Sequence, residues 1–169
     1  MYRYLFALFA SFSLCAKEPF IAILKNINSN EIQKFGYGNY TFFCEPYGVV
    51  GLDLMYERSK KDSVCRVKID EFYKKNPKLK NFAIFKLYVE QSYHIEFKKQ
   101  KCILYANGQI TLSEMLLKEG LAVVEVNFLD DEFSYSFKQA QLAAKLQKKG
   151  LWNTTIQKSC IASTVNQNP

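Results

Sequence analysis

Cys102-Ile-Leu-Tyr-Ala-Asn-Gly-Gln109, continuing as Ile110-Thr-Leu-Ser-Glu-Met-Leu-Leu-Lys-Glu-Gly-Leu-Ala-Val-Val124, is the stretch whose reading decides the fold. Cys102 to Ala106 suits a strand, and Asn107-Gly108 is a tight hairpin turn. Thr111-x-x-Glu114 is a capping box that opens a short helix, which Gly120 ends. Leu121 to Val126 is apolar and β-branched, as a strand requires. Downstream, Asp130 or Asp131 begins a last helix. Phe133, Phe137, Ala140 and Ala144 recur on one face of it, and Lys145, Lys148 and Lys149 lie at the end its dipole favours. Gly150 stops it ahead of Leu151 and Trp152.

Upstream, Tyr93 to Phe97 is a strand joined to Cys102–Ala106 by the Lys98–Lys101 turn. Asn76-Pro77 is a capping Asn followed by Pro at the first helical position, and predicts a helix to about Glu90. Val49–Tyr56 and Val64–Ile69 read as two strands around the charged loop 57–62, an extra hairpin within an insert at 46–76. Phe20–Lys25, Glu31–Phe35 and Tyr40–Cys44 read as an antiparallel meander, with turns at 28–30 and 36–39. Five or more short strands interleaved with three helices make an α+β chain. Its expected architecture is a five-stranded, partly open OB-type barrel packed with three helices, plus the insert before the first helix.

The chain has 169 residues, 49% hydrophobic and 23% charged, which is a globular composition long enough for one well-buried core. Arg3 followed by the uncharged run Leu5–Ala16 has the form of a signal peptide at 1–16, with Leu14 and Ala16 preceding a cut before Lys17. Cys15 follows Leu14 where a lipoprotein signal needs a small residue, so cleavage and release is the expectation. Loss of Arg3 takes the net charge from +7 to +6, which allows an anionic partner. Cys44, Cys65, Cys102 and Cys160 remain, an even number that predicts two disulfides in an oxidising compartment. Three pairings are open. With no Cys-x-x-Cys and the single histidine His94, no zinc site is expected. A domain at 17–160 and a flexible tail at 161–169 follow.

Gly120-Leu121-Ala122 and Gly150-Leu151-Trp152, each closing a helix at this separation, carry a resemblance. From Phe20 to Trp152 the chain resembles the staphylococcal-nuclease-like (thermonuclease) family. The resemblance implies an OB barrel with three helices. It also implies a phosphodiesterase site built from a calcium ion on aspartates, two phosphate-clamping arginines and a glutamate that assists the attacking water. Those positions fall here on Asn28 and Asn30, on Phe43, on Gly48 and Gly51, and on the shortened loop Lys98–Lys101, with Lys99 for the second arginine. Amides replace the ligand carboxylates, and lysine cannot reproduce the planar fork of an arginine. Catalysis, metal and cofactor are therefore not expected; calcium enters only if the chain is an atypical secreted nuclease acting on DNA or RNA.

Other candidates are binding residues. Tyr40, Tyr105, Lys98, Lys99 and Lys101 supply aromatic faces and positive charge of the kind that OB barrels use for single strands. His94 reads as a solvated strand histidine, and Asp53, Glu57, Asp62, Asp70 and Glu71 as solvated carboxylates of the insert. The expected function is a non-catalytic, exported module, periplasmic or secreted. It binds a protein partner or acts as a scaffold in the cell envelope, with no stable membrane insertion after signal cleavage. The insert, with Leu54 and Met55, is the expected partner surface. The alternatives are the secreted nuclease and a periplasmic protein that binds single-stranded nucleic acid.

Overall fold

A computed structural model of the chain describes residues 19–160, apart from 62, 154 and 157. The expected signal segment 1–16, the expected flexible tail 161–169 and Asp62 of the insert lie outside the described residues. β1 (Phe20–Ile27), β2 (Gln33–Tyr37) and β3 (Tyr40–Cys44) form the expected meander. β1 also pairs with β5 (Ser92–Lys98), which continues to β6 (Lys101–Asn107) and β7 (Ile110–Thr111). The order is β3-β2-β1-β5-β6-β7.

The sheet curls until the chain after β3 meets β6. Pro46 bridges Cys102 in parallel, Cys102 N–H donates to the Glu45 carbonyl at 2.9 Å, and Tyr47 N–H donates to the Cys102 carbonyl at 2.9 Å. The Cys44–Cys102 disulfide, with Cα atoms 5.5 Å apart, locks this seam. Alternate residues point inward, among them Ala22, Leu24, Phe35, Tyr93, Ile95 and Leu104, as the twofold repeat of a strand dictates. A second, two-stranded sheet pairs β4 (Val49–Gly51) with β8 (Ala122–Val124). Among the described residues the buried core runs from Ala22 to Cys160.

The insert is helical, which corrects the expected hairpin. Only Val49–Gly51 is strand. α1 (Leu52–Arg58) follows at once, and α2 (Val64–Lys75) replaces the second strand. The Ser63 hydroxyl accepts from Arg66 N–H, and Cys65, Ile69 and Tyr73 are buried at intervals of four, so packing on one face outweighs the β-branched Val64, Val67 and Ile69. Cys65 is joined to Cys160, Cα to Cα 4.7 Å, which draws the chain beyond Trp152 into the core.

The helix expected from Pro77 to Glu90 is two short helices, α3 (Pro77–Lys80) and α4 (Phe82–Lys86). With these additions the described residues hold more strands and helices than expected, on the same α+β barrel plan. In α5 (Leu112–Lys118) both bonds of the capping box are present: Glu114 N–H donates to Thr111 Oγ1 at 3.1 Å and Thr111 N–H to Glu114 Oε2 at 2.8 Å. α6 (Ser134–Leu146) begins later than expected, because Asp130 Oδ1 accepts from Glu132 and Phe133 N–H and holds a turn ahead of the helix. Gly120 and Gly150, both at positive φ, lie back to back, and Leu151 N–H donates to the Gly120 carbonyl at 2.7 Å. A Cβ on Gly120 would strike the Lys149 carbonyl and one on Gly150 the Gly120 carbonyl, so the two Gly-Leu motifs form one joint.

Candidate functional site

The β1–β2 turn, α1, α2 and the α3–α4 break enclose a cleft of about 340 Å³. Asn28, Ser29 and Asn30 lie on one wall, Asp53, Tyr56 and Tyr73 on another. The turn is closed by Asn28 and Ser29 N–H on the Ile32 carbonyl, and by Ser29 Oγ accepting from Glu31 and Ile32 N–H.

Asn30 is buried, and both ends of its amide have a partner. Nδ2 donates to the Leu79 carbonyl and Oδ1 accepts from Ala83 N–H, each at 2.9 Å. Leu79 and Ala83 are four apart. In an unbroken helix they would bond each other, so the Asn30 side chain is inserted into the ladder and splits α3 from α4. An amide meets both needs, since one of its partners is an acceptor and the other a donor, and an ionised carboxylate could not.

Glu31 is 2% exposed. Oε2 accepts from Gly51 N–H at 2.9 Å, and Oε1 accepts from Asp53 and Leu54 N–H at 2.8 and 3.2 Å. These are the orphan donors that open α1, so Glu31 caps a helix twenty residues downstream in a place where Gly51 offers no side chain. A Cβ at Gly51 would run into the Glu31 carboxyl. Burial first, and then the nearby Asp53, push the Glu31 carboxyl up to about 7 against the pull of the three N–H groups. Asp53 is not a free carboxylate of the insert: Oδ2 accepts from Asn30 N–H at 3.0 Å and Oδ1 from the Tyr73 hydroxyl at 2.7 Å. Burial and Asp53 together raise the Tyr73 phenol. Glu57 and Asp70 also line the cleft, with Lys80 as the cation among the lining residues.

The other residues on which the resemblance placed the family's site have structural neighbours. Phe43 stands on the outer face of β3, 60% exposed, opposite Lys34. Gly48 has φ +72°, and a Cβ there would strike the Phe128 ring. Arg66 lies over the Tyr56 ring at 4.2 Å and 3.9 Å from Glu57. A calcium ion does not fit this donor set. The Asn30 oxygen, the Asp53 carboxylate and the Glu31 carboxylate are all turned to protein N–H and O–H groups. Among the described residues no three His, Cys, Asp or Glu side chains are grouped to hold a metal.

The expected binding residues lie on the β5–β6 hairpin and, for Tyr40, on β3. Tyr40, 79% exposed, is at the β2–β3 hairpin tip, on the strand farthest in sheet order from β7. Tyr105 lies opposite His94 and donates to Glu96 at 3.4 Å. Lys98 and Lys101 face each other across the β5–β6 turn, and Lys99 is exposed at its tip with φ +48°. Lys98 meets Glu132 at 2.8 Å, Asp130 at 3.5 Å and Glu96 at 3.6 Å; burial lowers its ammonium, but these carboxylates outweigh that and raise it. Lys101 is held the same way by Glu125 at 2.5 Å and Glu45 at 3.1 Å. His94 is exposed, and Met55 is buried in the core. The roles of Glu31 and Asn30 were missed in the sequence because each acts on backbone distant in the chain. The one local signal was Gly51, a glycine directly ahead of an apolar helix with no cap of its own.

A closed, disulfide-locked meander with helices over one end defines a nuclease-like OB domain. The family model for staphylococcal nuclease homologues matches residues 24–154, more than half of the chain, and the chain belongs to that family. No curated protein matches it.

Proposed function

We propose that this is a non-catalytic nuclease-like module, exported to an oxidising compartment, that holds a protein partner or acts as a scaffold in the cell envelope. The observation that carries the reading is Asn30. The position where the family places a metal ligand is instead a wedge in a helix, with both ends of its amide engaged. Its neighbours agree. Three carboxylates, Asp53, Glu57 and Asp70, line the cleft against one lysine, which repels a phosphodiester in the absence of a cation. Lys98 and Lys101 are already neutralised by acidic partners, which argues against the single-strand-binding alternative. Two disulfides fit an oxidising compartment, and the run Leu5–Ala16 fits export.

The test is a nuclease assay on the chain from Lys17, with denatured DNA and RNA, with and without calcium. No calcium-stimulated cleavage is expected. Turnover that appears with calcium and vanishes on chelation sinks the proposal and restores the secreted nuclease.

A further inference from the structure

Between Glu71 and Glu90 the chain has no acidic residue, yet it carries Lys74, Lys75, Lys78, Lys80 and Lys86, all exposed. The same segment leaves Ile84, Phe85, Tyr88 and Val89 in solvent, with Phe85 60% and Tyr88 61% exposed. Large apolar side chains close together in the chain, on a segment whose own charged residues are all lysines, mark a contact surface.

Shape selects the kind of contact. Lys80 and Ile84 line the cleft described above, while Phe82 and Lys86 line a separate groove of about 510 Å³. The α3–α4 segment is therefore a ridge between two hollows. The acids nearby, Asp53, Glu57 and Asp70 on one side and Glu114 and Glu119 on the other, line the hollows, while the segment's lysines, Phe85 and Tyr88 are exposed. A ridge bearing aromatic and aliphatic tips with lysines beside them suits a broad, yielding, negatively charged surface. Aromatic rings settle at headgroup depth, and lysine stems lie along apolar material while their ammonium groups reach anionic headgroups.

We propose that the ridge from Lys78 to Val89 seats the domain on an anionic lipid surface. The attachment is peripheral; no helix among the described residues is long and apolar enough to cross a membrane. It places the module at a membrane whether or not the barrel cuts phosphodiesters.

The test is co-sedimentation with vesicles. The chain from Lys17 keeps every described residue and drops the apolar run that would itself enter lipid. It should sediment with vesicles of phosphatidylcholine mixed with phosphatidylglycerol, and far less with phosphatidylcholine alone. Salt should release it, since exposed charges are screened within about 8 Å at physiological ionic strength. Each lysine at such a surface is worth roughly fivefold, so Lys78→Gln, Lys80→Gln and Lys86→Gln together should weaken binding on the order of a hundredfold. Phe85→Ser with Tyr88→Ser should weaken it by about tenfold or more. Leu129→Ser, at a side chain 81% exposed elsewhere, should change nothing, and all variants should melt like the parent because the altered groups are exposed. Failure of the parent to sediment at low salt overturns the proposal. So does equal binding by parent and ridge variants. Capture by immobilised polyglutamate with no vesicle binding also overturns it, and reassigns the ridge to an acidic protein.

Discussion

Asn30 bridges the Leu79 carbonyl and the Ala83 amide, so its replacement has a calculable sense. Asn30→Asp removes the donor and places a second charge beside Asp53. It should cost roughly 1–3 kcal/mol in urea unfolding, because a partner is left buried and unpaired. Restoring both acids with Asn28→Asp and Asn30→Asp should therefore weaken the fold and create no calcium site. A melting temperature that rises with calcium in that double variant would show the site can still be rebuilt. Glu31 sets a pH dependence. Its folded pKa of about 7 lies above its ordinary 4.5, so the folded state holds the proton more tightly than the unfolded chain does. The stabilisation this gives is complete below pH 4.5 and is lost as pH rises through 7. Parent stability should fall across that interval by on the order of 1–3 kcal/mol. Glu31→Gln should be less stable at low pH, since its NH2 faces donors, and should lack the fall. Urea titrations at several pH values decide it.

Among the elements, α2 tests the value of the second disulfide. Cys65–Cys160 closes a separation of 95 residues and fastens α2 to the end of the described chain. Cys65→Ala with Cys160→Ala should cost about 2–5 kcal/mol, and thiol titration of the unfolded, unreduced chain from Lys17 should find no reactive group. Four reactive thiols would refute the oxidised state. The same elements mark what the sequence made legible. β3 was read to its end residues, and the capping box of α5 was read with both bonds, because each is written in adjacent positions. The insert was misread for two reasons. α1 takes its cap from Glu31 rather than from a residue beside it. In α2 the β-branched residues suggested a strand, while the spacing of Cys65, Ile69 and Tyr73 carried the helix. The α3–α4 break was invisible because the residue that makes it lies about fifty positions upstream. That Asn28 and Asn30 are amides and Phe43 no arginine is legible in the sequence. What Asn30 does is not, since a buried amide in a ladder and an open one in a turn are the same letter.

For the molecule as a whole, one core cluster runs from the barrel through α5 and α6 to Cys160, and cooperative unfolding follows. Trp152, the only tryptophan, is 7% exposed with Lys145 4.4 Å from its ring centroid, at the joint of Gly120 and Gly150. Its fluorescence should therefore change at the same urea concentration as the far-ultraviolet circular dichroism of the barrel. An earlier fluorescence transition would mean that the helical end opens by itself.

The two disulfides interleave, since Cys65 falls inside the span 44–102 and Cys160 outside it. Any single peptide bond between Cys44 and Cys160 is thus bridged by at least one covalent link around it. A protease that nicks the exposed segment near Lys60 and Lys61, or the turn at Lys99 and Gln100, yields a molecule that still runs as one band until a reductant is added. A first cut between Cys44 and Cys160 is then harmless to connectivity, and a fragment leaves that span only after a second cut within the same stretch that contains no cysteine.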